Sequence, residues 1–135
     1  MPRVVAAVRD LFFVARIRET ARLVGTDVAF ARSPEEIGAA LGGEAPDLLI
    51  VDLTTPEWDY EALFAAVEGH RPRVPVLGFT THGLARQTQP LHARCSRVVT
   101  KETLSQELGE VLRHGHPDGR APVAAPSPSG QERPA

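Results

Sequence analysis

Residues 47–60 read DLLIVDLTTPEWDY, and the first half of this stretch is the strongest strand signal in the chain. Residues 48–53 are apolar except for Asp52. Such a run predicts a strand at the centre of a parallel sheet, because both faces of a central strand are covered. Pro56 then indicates a loop. A helix is predicted beyond it from the apolar spacing of Tyr60, Leu63, Phe64 and Val67.

Four other apolar runs predict strands around this unit, at residues 4–8, 27–31, 74–79 and 98–99. A stretch with helical periodicity follows each of them. The second helix has the clearest start, because Ser33 can cap it, Pro34 suits its first turn and Glu36 can close a capping box. In the stretch 84–94, Pro90 predicts a helix that is short, kinked or restarted.

The strict alternation of strands and helices predicts an α/β fold with a parallel sheet between two helical layers. We expect this domain to span residues 1–113. Residues 114–135 contain much proline, alanine, glycine and serine and have no apolar period. Because such a segment cannot bury enough surface to offset its ordering entropy, we predict a disordered tail.

The composition excludes several classes of function. The formal net charge of -2 gives the whole chain no reason to bind nucleic acid or an acidic membrane surface. The single cysteine, Cys95, cannot form an intramolecular disulfide or a cysteine zinc cluster. We expect no signal peptide and no membrane span, and the sequence contains no phosphate-binding glycine loop and no nucleophile elbow. We therefore expect a cytoplasmic protein that is not an enzyme.

Polar residues follow the predicted first, third, fourth and fifth strands at the points where these strands end. They are Asp10, Asp52, Thr80 and Lys101. In a doubly wound sheet, sites form at the carboxyl ends of the strands, where the strand order reverses. We therefore expect these four side chains to lie at one edge of the sheet.

Three segments resemble the CheY-like receiver domains of two-component signalling: 47–60, VPVLGFTTHG at 74–83, and RVVTKETLSQEL at 97–108. The resemblance covers roughly residues 3–113. It implies a doubly wound, three-layer sandwich of the flavodoxin/CheY type, with a five-stranded parallel sheet of order 2-1-3-4-5. It also implies a role in a signalling pathway in which another protein is the partner, and homodimers are an open alternative.

The same resemblance implies a role for each matched residue. Asp52 corresponds to the phospho-acceptor, Thr80 to the hydroxyl that meets the phosphoryl group, and Lys101 to the lysine that pairs with acceptor and phosphate. Asp10 corresponds to one of two acids. A magnesium site would use Asp10, Asp52 and the backbone carbonyl of Thr54, since magnesium prefers oxygen ligands. Asp52 as a simple loop cap and Asp10 as a helix cap are the alternatives.

Several departures from the family pattern indicate that this site is damaged. Arg9 stands where the other acid is expected, and a cation there repels magnesium. Val98 replaces the aromatic residue of the fifth strand, and Glu102 replaces the proline after the lysine. The segment RDLFF at 9–13, and His82 after Gly78-Phe79, are similar to atypical stand-alone pseudo-receivers. We expect weak or lost magnesium binding and no other cofactor.

These observations leave three functions open. The first is a pseudo-receiver that signals by protein contact without phosphorylation, and Arg9 could then pair with Asp52. The second is a receiver that accepts phosphate on Asp52 with magnesium. The third is a flavodoxin-like cofactor binder, although residues 11–13 read LFF where a phosphate-binding loop is expected. A docking surface is predicted on a basic face, with a solvated face as the alternative: Arg86, Arg94 and Arg97.

Overall fold

Strands and helices alternate along the whole of residues 2–119, which the computed structural model describes. The strands are β1 (Arg3–Ala7), β2 (Asp27–Ala31), β3 (Leu48–Asp52), β4 (Val76–Thr80) and β5 (Arg97–Thr100). The helices are α1 (Leu11–Val24), α2 (Pro34–Gly42), α3 (Tyr60–Glu68), α4 (Ala85–His92) and α5 (Lys101–His114). All strand pairs are parallel, in the order β2-β1-β3-β4-β5. The predicted fold class and strand order are confirmed.

Two hydrophobic layers cover the sheet. On one face, α1 and α5 bury residues such as Phe13, Ile17 and Leu108 against the strands. On the other face, α2 and α3 bury Ile37 and Leu63. The central strands β1 and β3 contribute residues to both layers, which explains why their sequences are apolar almost without interruption.

The ends of some elements differ from the prediction. β4 begins at Val76, two residues late, and the carbonyl of Pro75 accepts the Leu49 N–H at its edge. α5 begins at Lys101 because the Thr100 hydroxyl caps it by accepting the Thr103 N–H at 3.1 Å. A single 3-10 turn (His82–Leu84) precedes the eight-residue α4, which contains Pro90. The helix with the internal proline is therefore short, as expected.

The described structure continues past the predicted domain boundary at residue 113. α5 includes His114, and Gly115 ends it with φ of 60°. Pro117 is buried, and its carbonyl accepts a hydrogen bond of 3.0 Å from the Arg97 guanidinium. Residues 114–119 of the predicted tail thus belong to the folded unit. The remainder, residues 120–135, lies outside the described residues.

Candidate functional site at the carboxyl edge of the sheet

Asp52 is the last residue of the central strand β3, and its side chain is only 7% exposed. Its Oδ1 accepts two hydrogen bonds from Thr54, one from the N–H at 2.9 Å and one from the hydroxyl at 2.6 Å. The loop that follows the strand therefore fixes one side of the carboxylate. Asp52 in turn caps the loop through these hydrogen bonds, and it does so from the carboxyl end of the central strand.

Tyr60, at the start of α3, ties the two ends of this loop together. Its hydroxyl donates to the Asp52 carbonyl at 2.6 Å and accepts the Thr55 N–H at 2.9 Å. Burial raises the pKa of the Tyr60 phenol above its ordinary value of 10.0. Between Thr55 and Tyr60, Glu57 has a φ of 62°, a left-handed conformation that is uncommon outside glycine. The sequence showed Tyr60 only as an apolar helix position and gave no signal for this bridge.

Asp10 caps α1 and forms an ion pair at the same time. Its Oδ1 accepts the N–H groups of Phe12 and Phe13 at 2.9 and 3.3 Å. Its Oδ2 accepts a 2.7 Å hydrogen bond from Lys101 Nζ. The hydrogen bond from Lys101 is the main reason why the pKa of the Asp10 carboxyl lies below its usual 3.8. Of the two roles that the sequence left open for Asp10, the helix cap is therefore present, and the second oxygen is used in the ion pair with Lys101.

The two cations of the site lie in different places. Lys101 is the first residue of α5, where its ammonium pairs with Asp10 and lies 5.1 Å from the centre of the Phe13 ring. Arg9 is exposed in the turn before α1. Among the ion pairs formed within residues 2–119, none joins Arg9 or Lys101 to Asp52. The expected pairing of either cation with Asp52 is thus absent from this arrangement.

One open cleft gathers four of the six predicted site residues. It has a volume of about 550 Å³ and is lined by Arg9, Asp10, Asp52 and Thr54, together with residues 55–57. Lys101 lines a neighbouring cleft of about 410 Å³ with Thr81 and His82. The sequence therefore identified most of the lining of the first cleft, but Lys101 lies in the second cleft and Thr80 lines neither of them.

Thr80 ends β4 and turns its hydroxyl into the fold. The side chain is 2% exposed, and its Oγ lies 3.0 Å from the hydroxyl of Thr88 in α4. Thr88 in turn contacts His92 Nε2 at 2.8 Å. In the sheet register, the residue opposite Thr80 is Thr100, so Lys101 lies one position beyond the end of β5. Sequence analysis missed the link through Thr88, for which the only signal was the four-residue spacing of Thr88 and His92 on one helix face.

The carboxylates present are poorly suited to a magnesium ion in this arrangement. Both Asp10 oxygens and one Asp52 oxygen already accept hydrogen bonds. Magnesium requires near-octahedral oxygen ligation and surrenders its own waters reluctantly. Within residues 2–119, no three histidine, cysteine, aspartate or glutamate side chains are grouped so as to hold a metal. The residues as placed therefore do not fit the group that the family resemblance implies.

The predicted basic docking face is largely engaged by the domain itself. Arg94 pairs with Glu61 and Glu68 at 2.8 and 2.9 Å. Arg97 pairs with Glu107 at 2.8 Å and also donates to the carbonyl of residue 117. Arg86 is exposed on α4. The docking surface stays a prediction, and of its three arginines two have intramolecular partners.

Comparison with known proteins points to one class. No family model matches the chain. It is 32% identical over 98 residues to the transcriptional regulatory protein GlrR of Escherichia coli K12. The match covers 69% of this chain, and it spans only about a fifth, 22%, of the length of that relative.

Solved structures show the same architecture. The chemotaxis response regulator CheY4 of Vibrio cholerae matches with a TM-score of 0.67 and 24% identity, over 83% of this chain and 99% of that one. A receiver protein from Burkholderia phymatum matches with a TM-score of 0.63 and 25% identity, over 75% of this chain and 83% of that one. The receiver domain of a Pseudomonas aeruginosa sensor histidine kinase is described with magnesium in its active site cleft. It matches with a TM-score of 0.68 and 17% identity, over 83% of this chain and 94% of that one.

The sheet order and the polar residues at its carboxyl edge define a doubly wound α/β domain of the flavodoxin/CheY type. Its solved neighbours are receiver domains, and its curated relatives are response regulators. The chain is a CheY-like, response-regulator receiver domain. None of the helices within residues 2–119 has the length and hydrophobicity needed to cross a membrane.

Proposed function

We propose that this receiver domain is a pseudo-receiver that signals by protein contact and does not depend on phosphorylation of Asp52. One observation carries the proposal: both oxygens of the Asp10 carboxylate accept hydrogen bonds from the protein itself, one from the first turn of α1 and the other from Lys101. In a phosphorylation site, that carboxylate would bind the magnesium that offsets repulsion between acceptor and phosphoryl oxygens.

Charge at the cleft supports the same conclusion. Lys101 already neutralises Asp10 across 2.7 Å, and Arg9 adds a second cation to the lining of the cleft. A divalent ion would have to share the Asp10 carboxylate with the Lys101 ammonium and tolerate the Arg9 guanidinium. The gain from binding magnesium is therefore small, and the domain is held in a single state. Its partner would be another protein of a two-component-type pathway.

The proposal is tested by amide NMR of the full chain, titrated with millimolar magnesium and then with beryllofluoride. We expect few amides to shift, and acetyl phosphate to give no stable aspartyl phosphate. Arg9→Asp should strengthen magnesium binding, because it restores an acid pair. Arg73→Asp is the matched control, since this exposed arginine precedes β4 at the opposite edge of the sheet.

A phospho-accepting receiver is the alternative, and the position of Asp52 favours it. This residue ends the central strand and lines the open cleft, and only its Oδ1 is engaged by Thr54. Strong magnesium binding with labelling that disappears in Asp52→Asn would overturn the first proposal in favour of this one. A flavodoxin-like cofactor binder gains no support, because Phe12 is 91% exposed where a phosphate-binding loop would lie.

A further inference from the structure

A chain of hydrogen bonds leads from the carboxyl edge of the sheet to the end of α4. It starts at the Thr81 carbonyl, 3.5 Å from the Thr80 hydroxyl, and continues to the Thr88 hydroxyl at 3.0 Å. It ends at Nε2 of His92, 2.8 Å from Thr88. The two hydroxyl residues are 2% and 6% exposed, whereas His92 is half-buried and is the last residue of α4. The chain therefore joins a buried strand end to a side chain that reaches the surface.

Proton counting leaves two arrangements in which the Thr88 hydrogen stays within this chain and does not go to the Ala85 carbonyl. Each hydroxyl has one hydrogen to donate, and a neutral imidazole has one donor and one acceptor nitrogen. If Nε2 carries the hydrogen, it donates to Thr88, Thr88 donates to Thr80, and the Thr80 hydrogen is left for the Thr81 carbonyl. If Nδ1 carries it, Nε2 accepts from Thr88, and Thr88 accepts from Thr80.

We propose that His92 is a positioning residue for Thr80, and that its ring tautomer decides where the Thr80 hydroxyl donates. With hydrogen on Nε2, Thr80 donates at the carboxyl edge of the sheet. With hydrogen on Nδ1, Thr80 donates inward, to Thr88. A broken chain is disfavoured because unmade hydrogen bonds are costly in a buried environment. The Ala85 carbonyl, 3.2 Å from Thr88, is the competing acceptor within α4.

Because of where Thr80 lies, the tautomer of His92 affects the hydrogen-bond donors available at the carboxyl edge of the sheet. The residue before it, Phe79, pairs with Asp52 in the β3–β4 register, so Thr80 lies at the edge where the Asp52 strand also ends. A group that accepts a hydrogen bond at this edge gains the Thr80 donor only in the Nε2–H state. A protein that contacts the His92 ring can set that state from outside. The inference holds whether or not Asp52 accepts phosphate.

The test uses NMR of the full-length, labelled chain, which resolves the ring nitrogens of His92 and the amide and methyl of Thr80. In the unmodified protein we expect His92 in one dominant tautomer. Thr88→Val removes the middle hydroxyl with little change of shape, so it should shift both the His92 Nε2 and the Thr80 signals. Thr88→Ser keeps the hydroxyl and should leave both close to their original positions.

His92→Leu provides a second route if Thr88→Val does not fold, because this residue is half-buried at a helix end. It should shift Thr80, whereas His92→Gln, which retains a side-chain donor and acceptor, should restore most of the original signal. His82→Leu is the control for a histidine outside the chain. Thr80 signals unchanged in both Thr88→Val and His92→Leu would overturn the proposal. Equal shifts in Thr88→Val and Thr88→Ser would also overturn it, because they would assign the effect to packing.

Discussion

At the scale of the residue, Asp10 shows how helix capping and site chemistry compete for one side chain. The first turn of a helix has N–H groups without partners, and Asp10 satisfies two of them with Oδ1. Lys101 holds the other oxygen. A carboxylate used in this way is fixed in orientation, and three of its roughly four lone-pair positions accept the protein's own donors. The cap and the ion pair together make Asp10 structural.

Asp10→Ala should destabilise the domain more than Asp10→Asn does. Alanine removes the cap, which costs about 1 kcal/mol. Asparagine keeps an oxygen for the Phe12 and Phe13 N–H groups and loses only the ion pair. That pair contributes about 0–1 kcal/mol, because both of its side chains are more than a third exposed. Urea unfolding of the two variants measures the difference, and equal losses would contradict the capping role.

The pH dependence of the same residue has a defined sign. The pKa of Asp10 is lowered in the folded protein, so the ionised form is favoured by folding. Its contribution to stability is complete above the ordinary value of 3.8 and is lost as the pH falls through the lower, folded value. Asp10→Asn should lack this component, so the stability difference between it and the unmodified chain should shrink in acid.

The residues of the site were predictable where they end a buried strand. Asp52 and Thr80 follow apolar runs, and their places at the sheet edge follow from the parallel topology. The partner of Lys101 was not predictable. Its choice of Asp10 depends on where α5 begins, and that start is set by the Thr100 cap. Side-chain pairing across elements depends on such local geometry, which the spacing of residues in a sequence does not contain.

At the scale of the element, β4 depends on a glycine for its packing against the neighbouring loop. A Cβ on Gly78 would lie 2.8 Å from Cys95 Sγ and 3.0 Å from Leu53 Cδ1. Cys95 lies between α4 and β5, and burial raises the pKa of its thiol to about 11. The sequence predicted a strand here but gave no sign of this contact, because Cys95 is 17 positions away in a loop.

Gly78→Ala should therefore destabilise the domain by about 1–3 kcal/mol, the usual cost of overpacking a core. In a Cys95→Ala background the penalty should fall, because the closest atom is gone, although Leu53 remains. Unfolding free energies of the two single variants and the double variant give the coupling between the sites. Gly38→Ala is the matched control: nothing lies within 4 Å of a Cβ there, and in helix α2 it should stabilise by about 0.5–1 kcal/mol. Additive effects at residues 78 and 95 would contradict the contact.

At the scale of the whole molecule, the last described residues close the fold onto β5. The Gly115 N–H bonds to the Val111 carbonyl at 2.8 Å and ends α5. The chain then turns back, and Arg97 of β5 joins Glu107 in α5 to the carbonyl of Pro117. The Arg97 guanidinium thus links the edge strand to the last helix and to the segment that follows that helix. Composition alone placed the boundary too early, because proline and glycine also occur in packed turns.

Two truncations separate the contribution of this segment from that of the chain beyond it. A protein ending at Gly119 should unfold at nearly the same temperature as the full chain, since residues 120–135 have the composition of a disordered tail. A protein ending at His114 loses the Gly115 cap and the bond from Arg97 to Pro117, at a cost of about 1–2 kcal/mol or several degrees in Tm. Calorimetry of the two truncated proteins measures the contribution of each segment. Arg97→Met in the full chain is the control, because it removes the guanidinium and leaves both segments in place. A shared loss in both truncations would instead assign the stabilisation to residues beyond 119, and the tail prediction would be wrong.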